Sequence, residues 1–170
     1  MLRVLRLGGT LDDAGFRSRR SEFLDAWTHQ GARVRFVRGV AWLLGYASQV
    51  ETRADATEAL LAMPSFGTIP VGLRTALNDE AMGRVLLRGG REGEAIAPLR
   101  RASRMCNGLD DPFRHVRSHA LLGRALEATG DVKGACEAYG YVVAQWGRAT
   151  PRSVTATASR ERLRALRCAR

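Results

Sequence analysis

Apolar residues recur along most of the chain at the spacing of one helix face, and glycines or prolines separate the segments that carry this pattern. The pattern predicts helices near 18–30, 33–50, 53–63, 70–88, 92–106, 113–128, 132–146 and 153–168. Strand signals are few. Val34 to Val37 alternates weakly, and Leu2 to Leu7 suits an extended segment because Arg3 and Arg6 interrupt its apolar residues. Residues 1–17 are therefore expected to be a poorly ordered N-terminal arm. Several helix ends have local causes. Gly89-Gly90 and Gly130 suit the left-handed position that closes a helix. Asp131 suits the cap of the next helix, and Asp110-Asp111-Pro112 and Pro151-Arg152-Ser153 are start signals.

A shift of 40 residues superimposes two segments. Met82-Gly83 falls on Leu122-Gly123, Arg84 on Arg124, Leu86 on Leu126, and Gly90 on Gly130. In the following helix, Ala95 falls on Ala135, Leu99 on Tyr139, and Ala102 on Val142. A glycine inside a helix is unfavourable by about 1 kcal/mol against alanine, so Gly83 and Gly123 imply a closely approaching neighbour. The small Ala95 and Ala135 permit that approach, and Leu99 and Tyr139 are expected to fill the space around it.

The order Leu-Gly, large residue, turn glycine, Ala, large residue, Ala resembles the tetratricopeptide repeat. Two units match, at 76–108 and 116–149. The pitch of 40 exceeds the family's roughly 34 residues, so a loop or longer second helix near Cys106 to Arg114 is expected to absorb the excess. Degenerate pairs are expected over 18–72, where Leu44-Gly45 and Leu61 fit the pattern but Ser48, Thr52 and Thr57 do not. The first helix of each good unit lacks the family's usual aromatic and carries Asp79 or His119 instead. The resemblance implies an all-α fold of antiparallel helix pairs in a superhelical repeat. It would be one domain over 18–170, closed by a capping helix at 153–168.

The run Gly130-Asp131, Gly134-Ala135-Cys136, Ala138-Tyr139, Trp146-Gly147 and Pro151 to Ala156, with a final Leu-x-Cys, is narrower. It is similar to the C-terminus of large bacterial serine/threonine protein kinases that carry tetratricopeptide-like tails, over roughly residues 75–168. No G-x-G-x-x-G loop, V-A-I-K lysine, H-R-D or D-F-G motif accompanies it. The resemblance thus implies a detached or separately encoded tail with no catalytic residue and no cofactor.

Charge and composition add a partner question. The 170 residues hold 27 Lys+Arg against 17 Asp+Glu, a net charge of +10, with 45% apolar residues. That balance excludes a disordered basic tail and a membrane bundle. Lys133 is the only lysine, so arginine carries the charge. Arginine excess suits phosphate or nucleic acid, but a GC-rich coding sequence is the favoured reading. The longest apolar run, Val40 to Ala47, is about half a bilayer span, and the N-terminus lacks a signal-peptide core. A soluble cytoplasmic protein without membrane contact is expected. Cys106, Cys136 and Cys168 are three, far apart and without a C-x-x-C pair, so reduced thiols are expected. His115 and His119 lie four apart on one helix, with Cys106 nearby. Without further ligands, no metal site is expected; His119 is assigned to packing and His115 to the surface. Gly89 to Gly93 lacks the ending of a phosphate loop and is assigned to a turn.

In tetratricopeptide arrays the first helix of each pair lines a concave groove. The register places Leu77, Glu80, Arg84, Leu87 and Arg88 there from one unit, and Arg117, Ala120, Arg124 and Glu127 from the next. Arg84, Arg117 and Arg124 would make the groove basic, suited to carboxylate or phosphate on an acidic or amphipathic segment. The family's asparagine carboxylate clamp is not expected, because those positions are arginine and leucine. Arg160, Arg162, Arg164, Arg167 and Arg170 crowd the last helix, with Val154, Leu163 and Leu166 assigned to its apolar side. Such a helix suits a solenoid cap, or a phosphate-binding surface. The expected function is a non-catalytic protein–protein interaction module associated with bacterial kinase signalling, its partner a kinase or a kinase substrate. The rivals are nucleic-acid binding, by charge, and an enzyme of unrecognised type.

Overall fold

The computed structural model describes residues 2–30, 35–66, 76–105 and 111–168. The fold is all-α, with no strand among the described residues. The helices are α1 (Leu2–Leu7), α2 (Asp13–Gln30), α3 (Arg35–Gly45), α4 (Arg53–Phe66), α5 (Ala76–Arg88), α6 (Glu92–Arg104), α7 (Pro112–Ala128), α8 (Val132–Trp146) and α9 (Val154–Ala165), with a 3-10 turn at Ala47–Gln49. Instead of one domain over 18–170, the chain forms two compact units, Met1–Arg74 and Thr75–Arg170. Each buries its own apolar centre. The predicted starts at 33 and 70–75, and Cys106, lie outside the described residues, as do the side chains of His29 and Leu77.

In the first unit, Phe16, Leu24, Trp42, Leu43 and Val50 are buried, and Trp42 Nε1 donates to the Ala59 carbonyl at 2.8 Å. Arg20 is buried over the rings of Phe16 and Tyr46 and pairs with Glu58. The N-terminal segment is not an extended arm. Residues 2–7 are helical, Arg3 pairs with Glu51, and Arg6 bridges Asp13 at 2.8 Å and Asp55 at 3.0 Å. The arginines that seemed to break the apolar pattern are what fasten this helix, through carboxylates distant in sequence. The register assigned to Leu44-Gly45 and Leu61 also fails. Leu61 is 76% exposed, and Gly45 instead faces Leu24 of α2, whose Cδ2 lies 2.6 Å from where a Cβ would stand.

In the second unit the helix ends follow local chemistry. Asp111 accepts from the Arg114 amide, with Pro112 in the first turn. Asp131 caps α8 through the Gly134 amide at 2.8 Å, and Ser153 caps α9 through the Ala156 amide at 3.2 Å. Gly90 and Gly130 hold φ of 78° and 85° at the two tight turns, conformations that favour glycine. Successive helices pack as antiparallel neighbours. A Cβ on Gly83 would stand 2.4 Å from Leu99 Cγ, and one on Gly123 would stand 2.7 Å from Tyr139 Cε1. In each pair the two residues lie on either side of a tight turn and at comparable distances from it, as antiparallel packing requires. The vacancy left by each glycine is thus filled by the large residue, while Ala95 and Ala135 are buried one turn away.

A second pair of positions shows how one location tolerates different chemistry. Asp79 is buried and takes a two-bond fork from Arg101, at 2.8 and 3.0 Å. Forty residues on, His119 stacks on Tyr141 with centroids 3.8 Å apart. An ion pair and an aromatic stack thus occupy positions forty residues apart that the internal repeat superimposes.

The cysteine expectation is overturned. Cys136 on α8 is joined to Cys168, just beyond α9, with Cα atoms 5.7 Å apart. Thirty-two residues separate the two, and closing a span of that length stabilises by about 3–4 kcal/mol in the chain-entropy account. Sequence spacing could not reveal the pair, because it depends on α9 folding back along α8.

Candidate functional site: a cleft walled by the last helix

Helices α5, α7 and α9 border a cleft of about 900 Å³ in the second unit. Leu87 and Arg88 come from the end of α5, and Glu92 from the start of α6. Arg117, Ala120, Leu121, Arg124, Glu127 and Ala128 follow one face of α7 at helical spacing. Val154, Thr155, Ala158, Ser159 and Arg162 form the α9 wall, with Tyr139 of α8 contributing between them. The apolar part of the lining is thus Leu87, Ala120, Leu121, Ala128, Val154 and Ala158.

Of the residues assigned to the groove, Leu87, Arg88, Arg117 and Arg124 line it. Arg84 does not. It is 5% exposed and sits among the packed residues of α5. Glu80 is fully buried, where it takes a fork from Arg117 at 3.0 and 3.1 Å, with Arg114 at 3.7 Å. Glu80 and Arg84 share a helix face with Arg88, at steps of four residues, yet both are buried while Arg88 reaches the cleft.

These pairings divide the cleft's four arginines. Arg117 is held by Glu80, and Arg162 is paired across the cleft with Glu127. Glu127 also accepts from the Tyr139 hydroxyl at 2.9 Å. Burial pushes the Tyr139 phenol up, against the opposing effect of the Arg124 charge. Arg88 and Arg124 make no ion pair among the described residues, and Arg88 Nε is buried without a hydrogen-bond partner. They are the cations left to meet an anionic group.

The α9 wall was not assigned to the groove from sequence, although Thr155, Ala158 and Arg162 follow an i, i+3, i+7 spacing. The apolar side assigned to α9 is also corrected. Val154 is 83% exposed, and the buried residues are the small Ala156 and Ser159. Ala156 packs with Val116 and Val142, and Tyr141 and Trp146 cover that cluster.

On the other side of α7, His119, Tyr141, Ser103, Arg100, Arg104 and Lys133 border a smaller hollow of about 490 Å³. His115 is half-buried rather than a surface residue, with Nε2 3.0 Å from the Tyr141 hydroxyl. Both histidine rings therefore face Tyr141. Burial, then the neighbouring His115, lowers the His119 pKa from 6.5 to about 4. A depressed histidine pKa favours the neutral ring in the fold, so this contribution is complete above pH 6.5 and lost as pH falls towards 4. Replacing His119 with phenylalanine keeps a stacking ring and removes the titration. Its melting temperature is expected to fall less than that of the native protein between pH 7 and pH 4.5. Equal acid sensitivity would count against this assignment.

The chain matches no protein family, no curated protein and no solved structure. No described helix is long and apolar enough to cross a membrane.

Proposed function

We propose that this chain is a non-catalytic protein-interaction module whose α5/α7/α9 cleft takes an acidic, amphipathic segment of a partner protein. The observation that carries the reading is the cleft lining: an apolar strip flanked by Arg88 and Arg124, the two cleft arginines that make no ion pair among the described residues. Guanidinium forks suit carboxylates, and an apolar strip suits one face of a helix. The shared contacts at Gly83–Leu99 and Gly123–Tyr139 support the tetratricopeptide-like reading. On that reading the module serves bacterial kinase signalling, with a kinase or its substrate as partner and the cytoplasm as its place.

The test is fluorescence anisotropy with a labelled helical peptide that has leucines on one face and glutamates on the other. A lysine analogue of the same peptide is the control. The acidic peptide is expected to bind on the order of tenfold more tightly than the basic one. The Arg88→Glu/Arg124→Glu variant is expected to lose that preference with an unchanged circular dichroism spectrum. Arg84 is unsuited to such a charge reversal, because it is buried. Indifference of the peptide to both substitutions would overturn the site. Duplex DNA bound with a steep salt dependence, and peptide not bound, would favour the nucleic-acid reading.

A further inference from the structure

We propose that the Cys136–Cys168 disulfide is a thiol-operated clasp on α9, and through α9 on the cleft. The effect on the cleft rests on the docking reading above; the clasp itself rests on the way α9 is held.

α9 has 12 residues, a length at which an isolated helix is marginal in water. Its buried side chains, Ala156 and Ser159, are small and offer little apolar area. Leu163 is only half-buried, and the polar ties are few: Arg160 donates to the Gly147 carbonyl at 3.1 Å, and Arg162 pairs with Glu127. A covalent link just beyond the helix therefore supplies a large share of what keeps α9 in place.

The end of α9 is shaped around that link. The Arg167 amide donates to the Arg164 carbonyl at 3.1 Å, and the Cys168 amide to the Leu163 carbonyl at 3.0 Å. Arg167 takes a φ of 53°, in the left-handed region where helices commonly end on glycine. Arginine does not favour that conformation by itself, so the surrounding structure must hold it. The bond from Cys168 to Cys136 anchors the residue next to it. Both cysteines are half-buried, which leaves them within reach of a small thiol or an exposed dithiol.

Opening follows ordinary thiol–disulfide exchange. A reductant thiolate attacks one cysteine sulfur, the Cys136–Cys168 bond breaks, and the other cysteine leaves as a thiolate. A second reductant thiol attacks the mixed disulfide and releases the first cysteine. Two thiols of the reductant become one disulfide, and their two protons end on Cys136 and Cys168. An oxidised dithiol runs the reaction backwards. With the clasp open, the α9 wall loosens and the Arg162–Glu127 tie loses its support.

Hydrogen exchange read by mass spectrometry tests this on the whole chain, oxidised and after dithiothreitol. Exchange over 154–166 is expected to speed up about tenfold or more on reduction, with α7 little changed. The Cys136→Ser/Cys168→Ser variant is expected to match the reduced protein under both conditions. The acidic peptide is expected to bind several-fold more weakly to the reduced form. Equal protection of α9 in both forms would overturn the clasp. So would maleimide labelling of Cys136 or Cys168, located by peptide mapping to set aside Cys106, after treatment with oxidised glutathione. Faster α9 exchange on reduction with no peptide binding by either form would support the clasp and overturn the docking reading.

Discussion

Gly123→Leu is expected to melt about 10 °C or more below the native protein, the effect of roughly 2–3 kcal/mol of overpacking in a unit of this size. A single Cβ at this position would already lie 2.7 to 3.0 Å from three ring atoms of Tyr139. The ring has little room to retreat, because its hydroxyl is tied to Glu127 at 2.9 Å and its side chain is buried. Gly83→Leu meets Leu99 at 2.4 Å and should behave alike. The gain in helix propensity on leaving glycine, about 1 kcal/mol, works in the opposite direction and is smaller. Pairing Gly123→Leu with Tyr139→Ala makes room and should recover part of the loss. Thermal unfolding by circular dichroism reads all three variants. Native-like melting of both single glycine variants would refute the close approach.

Arg117→Met should destabilise by about 3 kcal/mol, because it strips a fully buried carboxylate of its fork. Glu80 has no exposed surface, and Arg114 at 3.7 Å is then its remaining cation. Removing both charges is a different experiment. Glu80→Leu with Arg117→Met removes the buried carboxylate together with its cation, and replacing such a pair by apolar side chains is often close to neutral. The double variant should therefore be more stable than Arg117→Met alone, a reversal that urea denaturation can measure. If the double variant instead loses as much as the sum of the two single ones, the two residues act independently and the pairing is not the source of the effect. Since Arg117 also lines the cleft, peptide binding by the double variant would tell whether its charge serves the ligand or only Glu80.

The second unit was largely legible before its structure. Gly90, Gly130, Asp111, Asp131 and Ser153 act within three or four residues of themselves, so turns and caps are written locally. The glycine spacing was also legible, since a helix interior tolerates glycine mainly where a neighbour comes close. The first unit was not. Arg6 finds Asp55 and Arg20 finds Glu58 across long sequence separations, and Gly45 takes Leu24 from the helix before it rather than Leu61 from the one after.

The candidate site divides in the same way. Leu87, Arg88, Arg117 and Arg124, which helical phase assigned to a groove, line the cleft. Phase alone also assigned Arg84 and Glu80 to it, but a side chain near the edge of a face goes whichever way its partner lies, and Glu80's partners lie inside.

The alternation of apolar and polar positions thus determined the all-α class, most helix ends and the arginine-rich face, because each depends on neighbours within a turn or two. Tertiary structure decided which cleft arginines are ion-paired, where α9 lies, and that Cys136 meets Cys168. Those outcomes depend on groups more than 30 residues apart being brought within bonding distance, as Arg117 with Glu80 and the two cysteines are. No local spacing encodes that proximity.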